Sequence, residues 1–145
     1  ADPQPPVIAP EPRLSLAERA IDNVVEGCVG EAVAALHAAF IATHAEDPQV
    51  RAVFAAIVDD EARHALLAYD LADFYARDLA PAELARVAAA YRSAAIVACA
   101  TVPTEAAKAL GIPADRRLPD AVAALLGELR GRFSTRFSWA VARSG

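Results

Sequence analysis

Apolar residues recur at three- and four-residue intervals through most of the chain, the periodicity of an amphipathic α-helix. The first such stripe is Ile21, Val25, Cys28, Val29, Ala32, Leu36 and Phe40. Ser15 and Glu18 precede it as an S-x-x-E capping box, in which each side chain satisfies a free backbone N–H of the first turn. Gly27 and Gly30 fall inside this helix, where glycine weakens the helical preference, so they predict close approach of a neighbouring helix. Asp47-Pro48 then punctuates the chain, Asp47 as a cap and Pro48 at a first helical position that needs no N–H. A second helix runs to about Leu79 on the stripe Val50, Phe54, Ile57, Val58, Ala65, Ala68 and Ala72. So short a turn requires the two helices to pack antiparallel.

Pro81 opens a third helix, with Leu84, Val87 and Tyr91 inward, ending near Thr101. Pro103 to Leu110 reads as a short helix stopped by Gly111 and Pro113. Leu118-Pro119-Asp120 starts the last helix, with Val122, Leu125, Leu126, Leu129, Phe133 and Phe137 on one face. The first dozen residues, Ala1 to Pro12, carry no such period and are rich in proline. The expected organisation is a linker over 1–13 and one all-α helical domain over 14–145.

Composition agrees with the periodicity. Apolar residues are 56% of the 145 positions, many of them alanine, the strongest helix former, and β-branched residues nowhere alternate as a strand requires. The formal net charge is −5 with both signs mixed along the chain. No basic block offers a surface for phosphates, which argues against a nucleic-acid partner. No apolar run approaches the roughly 20 residues of a membrane span, and the proline-rich start lacks the order of a signal peptide. Cys28 and Cys99 form no C-x-x-C and sit among small apolar residues, as buried free thiols do. The compartment stays open.

The chemistry concentrates in Asp59-Asp60-Glu61-Ala62-Arg63-His64. At about 100° per residue, Glu61 falls near the middle of the second helix's apolar stripe and His64 one turn later on the same side. Asp59, Arg63, Asp70 and Arg77 point the other way. A carboxylate on an apolar face loses several kcal/mol of hydration unless something pairs with it. A divalent metal is one such partner, and Glu-x-x-His grips one ion from neighbouring turns. The bland alternative is a Glu–His hydrogen bond within a core. On the first helix Glu26, at the edge of the apolar stripe in line with Val33 and Phe40, ranks first as the facing carboxylate. Glu31 competes: it lies nearer the level of Glu61 and His64, but α-helical geometry turns it further from the apolar face. His37 and His44 are read as ordinary, partly exposed histidines.

The stretches Asp22-Asn23-Val24-Val25-Glu26-Gly27-Cys28-Val29-Gly30-Glu31 and Asp60-Glu61-Ala62-Arg63-His64-Ala65 resemble a bacterial ferritin-like family of di-iron carboxylate proteins. There, a helix bearing E-G-C-V-x-E precedes one bearing D-E-x-R-H-A. Leu110-Gly111-Ile112-Pro113 and Leu118-Pro119-Asp120 resemble that family's C-terminal part. Asp22 stands where glutamate is expected, and Gly30 where a charged residue is more usual. The resemblance implies a ferritin-like four-helix-bundle core and two iron ions, with manganese or zinc as substitutes. It implies oxygen- or peroxide-linked chemistry: a ferroxidase, another di-iron oxidase or a peroxidase. In that mechanism Glu61 bridges the metals, while His64 and Glu26 each terminate one.

A complete site needs a glutamate from each of two helices and a Glu-x-x-His from each of two others. Glu83 and Glu128 occur on the later helices, but no second Glu-x-x-His exists. One chain therefore holds half a site. A homodimer is the preferred completion; an upstream helical half-domain, which this chain would follow, is the other. Two further readings compete with the metal centre. A metal-free helical interaction module would pack against a partner half-domain, and a plain four-helix bundle with a satisfied polar pair in its core would be a monomer.

Overall fold

The computed structural model describes residues 13–100, 105–112 and 117–133. The expected linker over 1–13 thus lies almost wholly outside the described residues, as do Thr101, Pro103, Pro113 and Phe137. Among the described residues every regular element is helical, and the protein is all-α: α1 (Leu16–His44), α2 (Pro48–Ala76), α3 (Pro81–Ala100), the short α4 (Glu105–Ala109) and α5 (Arg117–Phe133).

The capping box forms as its spacing predicts. Ser15 N–H donates to Glu18 Oε2 at 2.7 Å, and Glu18 N–H donates to Ser15 Oγ at 3.3 Å. At the next turn Gln49 N–H donates to Asp47 Oδ1 at 2.7 Å, ahead of Pro48 at the first helical position. The Arg51 guanidinium reaches back to the carbonyls of Ala45 and Glu46, which α1's end leaves without intrahelical donors. These contacts close a turn of three residues and fold α2 antiparallel along α1.

The departure from expectation is inside α1. Leu16–Asp22 and Ala32–His44 are α-helical, but Asn23–Glu31 is a π-helix of nine residues. Such helices occur mostly as single wide turns, and frequently at functional sites. This segment contains both predicted glycines, and Gly27 is where α2 comes closest: a Cβ there would stand 2.6 Å from Ala68 Cβ. Asn23 Nδ2 donates across the same seam to the Ala68 carbonyl at 2.8 Å. Gly30 is exposed and meets nothing nearer than 3.6 Å, so the expected close approach applies to Gly27 alone.

α1 is the hub. α2 lies along it on one side, α3 packs against its first half, and α5 crosses α3 and the end of α1. The core between them buries Val24, Cys28, Val29, Ala65, Ala68, Tyr69, Ala72, Val87, Tyr91, Val122 and Leu126. Two tyrosines tie the layers. Tyr91 Oη donates to the Leu126 carbonyl at 3.2 Å, which leaves Tyr69 to donate to Tyr91 Oη at 2.9 Å. Burial raises the pKa of both phenols and, with the nearby Asp73 charge, pushes the Cys28 thiol up to about 12. Gly111, at φ +89°, lets α4 turn against the end of α1, where a Cβ would meet His44 at 2.7 Å.

By length and composition α1 is apolar enough to cross a membrane, with a mean hydropathy of 1.6 over its most apolar stretch. Glu26 and Glu31 interrupt that run in the sequence, and a third of it is buried against the other helices here. The same properties belong to the central helix of a bundle.

Two measurements test this packing. Gly27→Ala should destabilise by about 1–3 kcal/mol, the usual cost of overpacking, whereas Gly30→Ala should stabilise by about 0.5–1 kcal/mol through helix propensity; chemical denaturation reads both. In native protein a thiol reagent should leave Cys28 unmodified, and unfolding should expose it.

Candidate metal centre

The antiparallel register brings Glu31 of α1 opposite Glu61 of α2, because the two stand at equal distances from the turn. Glu61 and His64 are one turn apart on α2, with His64 Nδ1 3.5 Å from Glu61 Oε2. One ligand atom from each of Glu31, Glu61 and His64 lies within 4.8 Å of the others. Oxygen and nitrogen ligands hold such ions at about 2.0–2.2 Å, so two ligands of one ion stand about 3–4 Å apart. Small side-chain rotations would bring the three into that range.

The ranking of Glu26 ahead of Glu31 is reversed. Gly27 is the residue of this segment that faces α2, and Glu31 follows it by four positions, about one helical turn, so its side chain comes round to the same side. Glu26 is exposed and instead lines a groove of about 570 Å³ between α1 and α3, with His37 and Ser93. Burial there lowers the His37 pKa. His44 packs on Phe40, its Nδ1 3.0 Å from that residue's carbonyl. Neither histidine joins the cluster.

Burial also differs from expectation. Glu61 is a quarter exposed, but the His64 side chain is 60% exposed, so it marks the rim of the α1–α2 seam rather than its floor. Glu83 is spent on capping α3, accepting from Ala80 N–H at 2.9 Å. Glu128 is exposed on α5.

The electrostatics fit a site for a cation. The Glu31 pKa is raised, first by the hydrogen bond its carboxyl shares with Glu61, then by desolvation and by the Glu61 charge. Glu26 adds to the effect and His64 opposes it. Two carboxylates held face to face bind either a shared proton or a shared cation. Two oxygen donors and an imidazole form a set that iron, manganese and zinc all accept.

Sequence reasoning placed Cys28 and Tyr91 inward but missed the contacts behind this cluster, Asn23 with Cys28 and Ala68, and Tyr69 with Tyr91. It also missed Asp73, whose Oδ1 is buried with no hydrogen-bond partner among the described residues. No periodicity signals these contacts, because each depends on which helices face one another.

Comparison of the chain with protein-family models, with curated proteins and with solved structures found no match.

The Glu31–Glu61 contact gives a pH prediction for metal-free protein. A carboxyl whose pKa is raised by folding contributes stability when protonated and loses it as pH rises through its folded value. Between pH 5 and pH 7, with chelator present, Glu31→Gln should therefore lose less stability than wild type. At pH 7 its melting temperature should be higher by about 1–2 °C, a fraction of a kcal/mol in a domain this size; calorimetry at the two pH values checks both.

Proposed function

We propose that the chain is a ferritin-like, metal-binding protein in which Glu31, Glu61 and His64 form half of a di-iron or di-manganese carboxylate centre. The observation that carries this reading is the convergence of those three side chains from two helices, at the point where α1 is wound as a π-helix. A di-metal site of this class takes four carboxylates and two imidazoles, and one chain supplies half of each. The rest would come from a second copy, or from an upstream helical half-domain.

In this reading Glu61 is the shared carboxylate, adjacent to both other ligands, and Glu31 closes the set from α1. The bound metals would supply oxygen- or peroxide-linked redox chemistry, making the protein an oxidoreductase of the ferroxidase, oxidase or peroxidase kind. The chain's own part is to hold two negative charges and one imidazole together. The Glu61 side chain is three-quarters out of water, where its attraction for a cation is stronger than at the open surface. Glu26 lies outside the metal set here and serves as a negative charge beside it.

The exposure of His64 favours a second reading, a metal-free helical interaction module in which the Glu61–His64 contact is only a surface pair.

Metal analysis after anaerobic loading separates the two. About one iron or manganese per chain is expected for a half-site, lost in a Glu61→Ala, His64→Ala double variant. Affinity should fall at least about tenfold in Glu31→Ala and change little in Glu26→Ala. A wild type that takes up no metal would leave the interaction module. Metal uptake with ferrous-dependent oxygen consumption would establish the redox activity.

A further inference from the structure

α3 packs on the first half of α1 and has little contact with Ala32–His44. The divergence opens the groove of about 570 Å³ between them, a size within the range of small-molecule sites. Its walls come from two helix faces. On α1, Val25, Val29 and Val33 recur at every fourth position. On α3, Ala90, Ala94 and Ala98 do the same, and leave room where longer side chains would close the gap.

Three polar side chains interrupt these apolar walls. Glu26 is exposed at the rim, Ser93 lines the groove from α3, and His37 lies further along α1, half-buried. None of the three makes a hydrogen bond or an ion pair with another described residue. Burial lowers the His37 pKa, so its imidazole is neutral at pH 7. Glu26 is then the single charged group among the lining residues. Glu26 and His37 stand roughly 15 Å apart along α1, at about 1.5 Å per residue, too far to hold one metal ion between them. The groove is shaped for an elongated organic molecule.

We propose that this groove binds an organic amine, with its protonated nitrogen paired to Glu26 and its apolar body lying between the valines of α1 and the alanines of α3. The match is one of charge and of surface. The ammonium meets a carboxylate that has no counter-ion among the described residues, and the apolar body gains by leaving water. Ser93 and the neutral His37 remain to exchange hydrogen bonds with a polar group further along the molecule. A carboxylate ligand would meet Glu26 with like charge and find no cation in the lining. The site is separate from the Glu31–Glu61–His64 cluster, which lies on the side of α1 that faces α2, and does not depend on it.

The test titrates the full chain at pH 7, with chelator present, against octylamine, octanol and octanoate. These share one chain length and differ in head-group charge; amide NMR shifts follow each. Octylamine should bind with a Kd of about 1 mM or tighter and shift the amides of Val29, Val33 and Ala94. Octanol should bind more weakly, and octanoate most weakly of the three. Glu26→Gln, at an exposed position, should weaken octylamine about fivefold, the upper range for an exposed ion pair, and leave octanol unchanged. Ala94→Leu fills the groove and should weaken all three while circular dichroism keeps its helical content. Should that variant fail to fold, the head-group series and Glu26→Gln still decide. Octanoate binding as tightly as octylamine, or an octylamine affinity indifferent to Glu26→Gln, would overturn the amine. Shifts that map away from α1 and α3, or no shifts at all, would overturn the site.

Discussion

The close approach of α1 and α2 at Gly27 governs what the rest of the molecule can do. Ala68 occupies the space a side chain at position 27 would need, and Asn23 locks the contact through the Ala68 carbonyl. With the turn at Asp47 fixing the other end, the register between the helices has no freedom. Glu31, one turn after Gly27 on the same side of α1, then faces Glu61. A carboxylate pair in a largely apolar seam follows from backbone packing rather than from any local preference of the two glutamates.

That arrangement disfavours two charged carboxyl groups side by side. Glu31 holds a proton more tightly than an ordinary carboxyl because Glu61 shares it. Alongside it, α2 exposes a row of large apolar side chains that the other helices leave uncovered. Paired carboxyl groups and uncovered apolar surface thus share one helix, on different sides of it. On the opposite side of α1, α3 packs on its first half and α5 crosses its end, the tyrosine pair ties these layers together, and Cys28 is buried among them.

The fold was largely legible. Capping chemistry at Ser15–Glu18 and Asp47–Pro48, the alanine-rich periodicity and the proline punctuation all act locally, so they set the helices wherever the chain goes. Burial at Val87, Tyr91, Val122 and Leu126 followed from the same period. The candidate cluster was legible in part. Glu61 and His64 fall together because three residues on a helix make nearly one turn. The choice between Glu26 and Glu31 was not legible, because it turns on which side of α1 meets α2. Level along the helix pair, measured from the turn, carried the better information; the apolar stripe of Val25, Val29 and Val33 misled, since it lines the groove toward α3. The rim position of His64 was equally hidden, since periodicity tells which way a residue points but not where the neighbouring helix stops.

The account stands on Glu31, Glu61 and His64 acting as one ligand set. Anomalous scattering from crystals grown with manganese(II) locates the ion directly. The account predicts a peak bonded to these three side chains, with Glu26 and His37 left out. A peak in the α1–α3 groove beside Glu26 and His37, or none at the α1–α2 seam in crystals that hold the metal elsewhere, would contradict it.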